Sequence, residues 1–294
     1  MCAITTTPVA RGEKFLTYDG DCPMCTATVG LLVRWRLVTE SQSRSNHDLD
    51  GELLELAQAA GIRNQLVVID PASGTTRTGV DGLLWLVRDT HPRAWWPGVA
   101  ALPGIRHLLQ LGYEIISYNR RILSPPKHRI RCDCEPQATV GRRLSLIVPA
   151  TIAAAGLLGL AGAGLFRGLE IGAPLIGAAL VTLAAALPWI ALAVAAAIAL
   201  HCEQRIDTFA HLAVTALVGA ALLAPVAMAS WLTPTATIVL ASAATLVSVR
   251  QMFRMQRKRV LAAGLSERWL AAWVATVAVS IVAVAALCLT RLSA

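Results

Sequence analysis

Residues 144–294 carry only nine Lys and Arg and four Asp and Glu. A soluble domain has about a quarter of its residues charged, so a stretch this long and apolar has no ordinary water-facing surface. Crossing hydrocarbon takes about 20 apolar residues per helix. Five spans are expected, at about 144–166, 172–200, 209–231, 234–250 and 269–291, forming an all-α transmembrane bundle. The fourth is short and follows the third with almost no loop, so the pair reads as a tight hairpin or a partly re-entrant element.

The Lys/Arg bias of short loops sets the expected orientation. With the N-terminus inside, the inner flanks hold the basic stretch 127–143, Arg205, the run 250–259 and Arg268. The outer flanks hold only Arg167 and Arg291. The expected protein is integral to a bacterial-type inner or plasma membrane, with the N-terminal domain cytoplasmic and the C-terminus outside. Gly164, Gly168 and Gly172 recur every four residues, a spacing that lets helices approach closely in lipid. Trp231, Trp269 and Trp273 read as interfacial anchors. Deep inside the spans no ionisable residue is expected; His201, Glu203, Arg205, Asp207 and His211 gather at one boundary, which argues against an ion pump.

The first half differs in kind, with 17 basic and 14 acidic residues among 1–143. It divides into a domain over 1–135 and a basic juxtamembrane linker over 136–143, ahead of the helical domain 144–294. Its basic residues are scattered, which excludes a nucleic-acid surface as the reading of the net charge of +8. The chain is too apolar for disorder, and seven Cys are too few for a disulfide-stapled miniprotein. Met1 to Lys14 has no apolar core of a secretory signal, so the first domain is expected in the reducing cytoplasm.

Glu13 to Tyr18 reads as a buried strand that breaks at Asp19-Gly20-Asp21. Cys22-Pro23-Met24-Cys25 follows, and Thr26 to Val38 has apolar residues at helical spacing. Pro23 suits a first helical turn, where a missing N–H costs nothing. A thiol attacks a disulfide as thiolate, and a helix N-terminus stabilises that anion. Cys25 lies one turn on, where it resolves a mixed disulfide formed by Cys22. Asp19 and Asp21 oppose ionisation by like charge, while Asp19 also suits a proton acceptor for Cys25. Redox work, metal binding and a merely structural pair are the three readings of a cytosolic CxxC. Further along, helices are expected over 50–60 and 80–88, strands over 65–70 and 75–78, and two amphipathic helices over about 98–111 and 112–123. Together these give an α/β thioredoxin-like domain.

The run Tyr18-Asp19-Gly20-Asp21-Cys22-Pro23-Met24-Cys25 resembles the signature of the DCC thiol-disulfide oxidoreductase family, and Tyr113 to Arg121 resembles its C-terminal helix with a Tyr…Asn-Arg pattern. The resemblance covers about residues 13–135 and implies a thioredoxin-like fold with dithiol–disulfide activity. Thioredoxins proper carry a proline before the third strand; Gly61-Ile62-Arg63-Asn64-Gln65 has none.

Cys132-Asp133-Cys134 admits three readings. It is a relay exchanging electrons with Cys22 and Cys25, the second half of a four-thiolate zinc site with them, or two linker thiols. Cys202 and Cys288 read as small apolar residues. The His residues show no metal-ligand spacing, and no nucleotide or hydrolase motif is present, so no cofactor is expected. The expected function is a membrane-tethered thiol-disulfide oxidoreductase with Cys22 as nucleophile, Cys25 resolving and Asp19 assisting. Its partners are a protein or small-molecule thiol or disulfide and the lipid bilayer. The alternative is a transporter or scaffold whose soluble domain senses redox state or binds zinc.

Overall fold

A computed structural model describes residues 14–61, 65–124, 139–200, 202–262 and 265–292. The chain divides into two compact units, Met1–Arg142 and Arg143–Ala294.

The first unit is built on a four-stranded sheet of order β2-β1-β3-β4. Its strands are β1 (Phe15–Tyr18), β2 (Ser43–Ser45), β3 (Val67–Asp70) and β4 (Thr75–Thr78). β1 pairs parallel with β2 and antiparallel with β3, which pairs antiparallel with β4. A parallel pair needs a crossover, supplied here by α1 (Pro23–Arg34). The two central strands are buried, with Leu16, Val67 and Ile69 fully so. Leu16 and Val68 pack with Val29 and Leu32 of α1 and with Leu86 and Val87 of α3 (Gly79–Thr90). Val67 and Ile69 face the other way, onto Leu49 and Ala57, the latter in α2 (Gly51–Ala59). A mixed sheet in this order, with helices on both faces, is the thioredoxin-like arrangement the resemblance implies.

Two local differences from the sequence reading have simple causes. β2 is three polar residues, Ser-Arg-Ser, with no apolar alternation to announce it; an edge position asks for none. The two expected amphipathic helices are instead α4 (Trp96–Ala100), α5 (Pro103–Tyr118) and α6 (Arg120–Leu123). The breaks fall where Pro103 begins a helix and at Asn119, not at Gly112, which α5 absorbs. Asn119 donates from Nδ2 to the Ile115 carbonyl at 2.8 Å, closing the end of α5.

The second unit contains α7 (Val140–Gly168), α8 (Pro174–Ala199), α9 (Cys202–Leu223), a 3-10 segment (Ala224–Trp231), α10 (Pro234–Ala262) and α11 (Glu267–Leu292). Among the described residues, five helical stretches are long and apolar enough to cross a membrane. α9 packs on α10 and α8 on α11. Small residues set the close approaches: a Cβ on Gly164 would strike the backbone of Val226 and Ala227, and one on Gly168 would meet Thr237 and the Ala229 carbonyl. Gly172 does not extend that stripe. It sits beyond α7 at φ +94° with open space around it, a conformation that favours glycine in the turn.

Three further corrections belong to this unit. α10 runs 29 residues, so the fourth segment is not short, and the basic run 250–259 is helix rather than loop. Trp273 is no interfacial anchor; it is 1% exposed and packs with Leu192, Leu212 and Met252, edge-on to Trp189 at 6.4 Å. Trp231, by contrast, is exposed. His211 of α9 and Arg259, in the last turn of α10, are buried. Arg143 also reaches Asp207 at 2.7 Å, tying α7 to α9.

Candidate redox site

β1 delivers the chain into a turn at Asp19-Gly20-Asp21. Asp19 accepts the Asp21 N–H on Oδ1 at 3.0 Å, and the Cys22 N–H donates to the Asp19 carbonyl at 3.3 Å. A Cβ on Gly20 would press on the Ser45 hydroxyl of β2. Just after β2, His47 places Nε2 3.2 Å from the Asp21 carboxylate.

Cys22 is then the N-cap of α1, with Pro23 as the first helical residue. Its sulfur accepts the backbone N–H of Cys25 at 3.3 Å, as a Ser or Asp side chain does at other helix starts. The sequence expectation of a thiol at a helix N-terminus is met in detail. Both cysteines are free thiols.

The two sulfurs differ in character. The Cys22 thiol is pushed down to about 6, first by the hydrogen bond from the Cys25 thiol, then by the Cys25 N–H and the Arg120 charge, against burial and Asp19. Cys25 is pushed up, by sharing its proton with Cys22, by burial and by the negative charge of its neighbour. The two shifts run in opposite directions, so Cys22 is the thiol that ionises first. Access runs the other way: Cys22 is 5% exposed, while Cys25 is half-buried.

Beneath the pair lies a buried ion pair that sequence reasoning did not anticipate. Arg120 donates from Nη2 to Asp19 Oδ2 at 2.9 Å, and both residues are almost completely buried. Arg121 approaches the same oxygen at 4.0 Å. The ion pair's trace in the sequence is the Tyr…Asn-Arg pattern of residues 113–121 that carries part of the resemblance. Tyr113 of that pattern also has a structural part. Its Oη accepts the Leu66 N–H at 2.8 Å, just ahead of β3, and burial pushes its phenol up to about 12, with the Cys25 thiol adding to the effect.

Residues 16–124 match the family model of the DCC1-like thiol-disulfide oxidoreductases. The first unit carries a DCC1-like domain. No curated protein and no solved structure matches the chain. The DCC1-like domain brings Cys22, Cys25 and Asp19 together, while Cys132 and Cys134 lie outside the described residues. Among the described residues no group of three His, Cys, Asp or Glu side chains is placed to hold a metal. In the helical unit, Cys288 packs beside Phe166 and Leu169 as a small apolar residue.

Proposed function

We propose that the DCC1-like domain exchanges dithiol for disulfide, with Cys22 as nucleophile and Cys25 as resolving thiol. The observation that carries this reading is the Cys22 sulfur capping α1, where hydrogen bonds from the Cys25 thiol and the Cys25 N–H push it down to about 6. The thiolate attacks one sulfur of a substrate disulfide, forming a Cys22–substrate bond and expelling the first substrate thiolate. Cys25 then loses its proton and attacks the Cys22 sulfur, which releases the second substrate thiol and leaves a Cys22–Cys25 disulfide. Two electrons pass to the substrate, and a second dithiol returns them by the reverse steps.

Asp19 is proposed to assist as acceptor of the Cys25 proton. Arg120 holds that carboxylate in place and limits its repulsion of the thiolate. Cys132 and Cys134 are proposed as the relay to the second dithiol. The helical unit is proposed to tether the domain to a plasma or inner membrane with the N-terminus inside, since the basic residues favour that orientation.

Turnover of a reporter disulfide by the full chain in detergent micelles tests the reading. Wild type is expected to turn over and Cys22→Ser to lose the activity; equal rates reject the proposal. Peptide mapping after brief alkylation at pH 7 separates the roles, because first modification at Cys25 would exchange nucleophile and resolving thiol.

A further inference from the structure

The helical unit buries a second polar cluster. Arg259 of α10 is 1% exposed, and among the described residues its hydrogen bonds are from Nη1, to the Thr215 hydroxyl at 2.5 Å and the His211 carbonyl at 3.1 Å. Among the described residues no carboxylate pairs with it. Thr215 also donates to the carbonyl of His211 at 2.8 Å and lies 3.2 Å from Gln256 Oε1. These contacts satisfy the inner side of the cluster.

Its other side opens on a half-open cleft of about 10 Å³, lined by Thr208, His211, Gln256 and Arg259 with Val260 and Leu265 as apolar walls. All four polar side chains are at least nine-tenths buried. Among the described residues His211 Nδ1 is buried without a partner. The Thr208, Gln256 and Arg259 side chains line the same space. A buried polar group left unpaired is costly, and an unpaired charge far more so. Here a buried positive charge with no carboxylate partner among the described residues lies beside an unpaired ring nitrogen, and further side chains able to donate line the same space.

We infer that this cleft is an anion site that takes one oxygen of a phosphate group, with the rest of the ligand outside. The volume is that of about one water molecule, so one phosphate oxygen enters and a whole phosphate does not. Arg259, Gln256 and Thr208 donate to that oxygen, and His211 joins them in the tautomer that protonates Nδ1. The neighbouring Arg254, Arg257 and Lys258 add positive charge beside the same end of α10. Two sources share this chemistry, the headgroup of an anionic phospholipid and free inorganic phosphate. Basic pockets between membrane helices are a known setting for the former.

The test uses the full chain, purified in a nonionic detergent and stripped of lipid. Its thermal unfolding midpoint is followed while phosphatidylglycerol, phosphatidylcholine, inorganic phosphate or sodium chloride of matched ionic strength is added. A dose-dependent rise with phosphatidylglycerol alone assigns the lipid headgroup; a rise with inorganic phosphate alone assigns the soluble ion. In Arg259→Gln the apparent affinity is expected to fall at least about tenfold, the size of a lost hydrogen bond to a charged group. Thr208→Val and Gln256→Leu, which leave the charge in place, are expected to weaken it several-fold and serve if Arg259→Gln does not fold. The inference is overturned if neither phosphate source moves the wild-type midpoint. It is equally overturned if phosphatidylcholine or chloride matches them, or if the variants that fold respond as wild type does.

Discussion

Each unit of this protein buries an arginine, and the two are neutralised in different ways. In the DCC1-like domain, Arg120 lies against Asp19 at 2.9 Å with both side chains out of water. In the helical unit, Arg259 meets a hydroxyl and a carbonyl and faces a cleft. Burying an ion costs several kcal/mol, which an opposite charge in good geometry largely offsets. The charge of the first arginine is thus offset within the chain, where it steadies the carboxylate below Cys22. The second is incomplete, and a ligand supplies what the chain omits.

The strongest way to break this contrast is to remove one partner of the complete pair. Arg120→Ala leaves the Asp19 charge buried alone, and a loss of about 3–5 kcal/mol is expected for the DCC1-like domain. Chemical denaturation of the full chain measures it; a loss below about 1 kcal/mol would show that the pair carries little of the fold.

The next largest effect concerns the thiols that pair supports. Alkylation of Cys22 is expected to rise with pH through a midpoint of about 6 and to level off above 7, while Cys25 stays slow at neutral pH. Mass spectrometry of quenched samples reads both sites. The same depressed value adds stability that is complete above the unfolded-state value of about 8.5, and is lost as the pH falls through about 6. Reduced wild type should therefore lose stability relative to Cys22→Ser on acidification across that window.

Packing in the helical unit gives a smaller change. Gly164→Ala places a methyl group against the backbone of Val226 and Ala227, which has no rotamer to yield, and about 1–3 kcal/mol of destabilisation is expected. Gly156, with nothing near its missing Cβ, is the control whose alanine variant should be neutral or better in the thermal midpoint. The smallest effect is expected at Arg259→Met in lipid-free, phosphate-free detergent. It exchanges an unpaired buried charge for an apolar side chain of similar length, so stability should hold within about 1 kcal/mol or increase. A loss as large as that of Arg120→Ala would erase the distinction between the two arginines.

Features set by near neighbours are legible in the amino-acid order alone. Cys22, Pro23 and Cys25 lie within four residues, so helix-start chemistry predicts a capped, ionised sulfur with a second thiol one turn on. The alternation of apolar strands and helices around them announces the layered α/β unit, and hydropathy announces the long apolar helices. The edge strand Ser43–Ser45 is not legible, since three polar residues carry no period. Nor is the extent of α10: a run of Arg and Lys reads as loop in a hydropathy plot, whereas a helix keeps its hydrogen bonds whatever the side chains carry.

Short-range chemistry in the chain thus determined the thiol motif, the helix it caps and the approximate segments that follow. Tertiary structure alone decided which charges meet. Asp19 and Arg120 are 101 positions apart, and Thr215 and Arg259 are 44 apart. No local pattern records such pairings, because they arise only when burial removes water and forces each charge to find what compensates it.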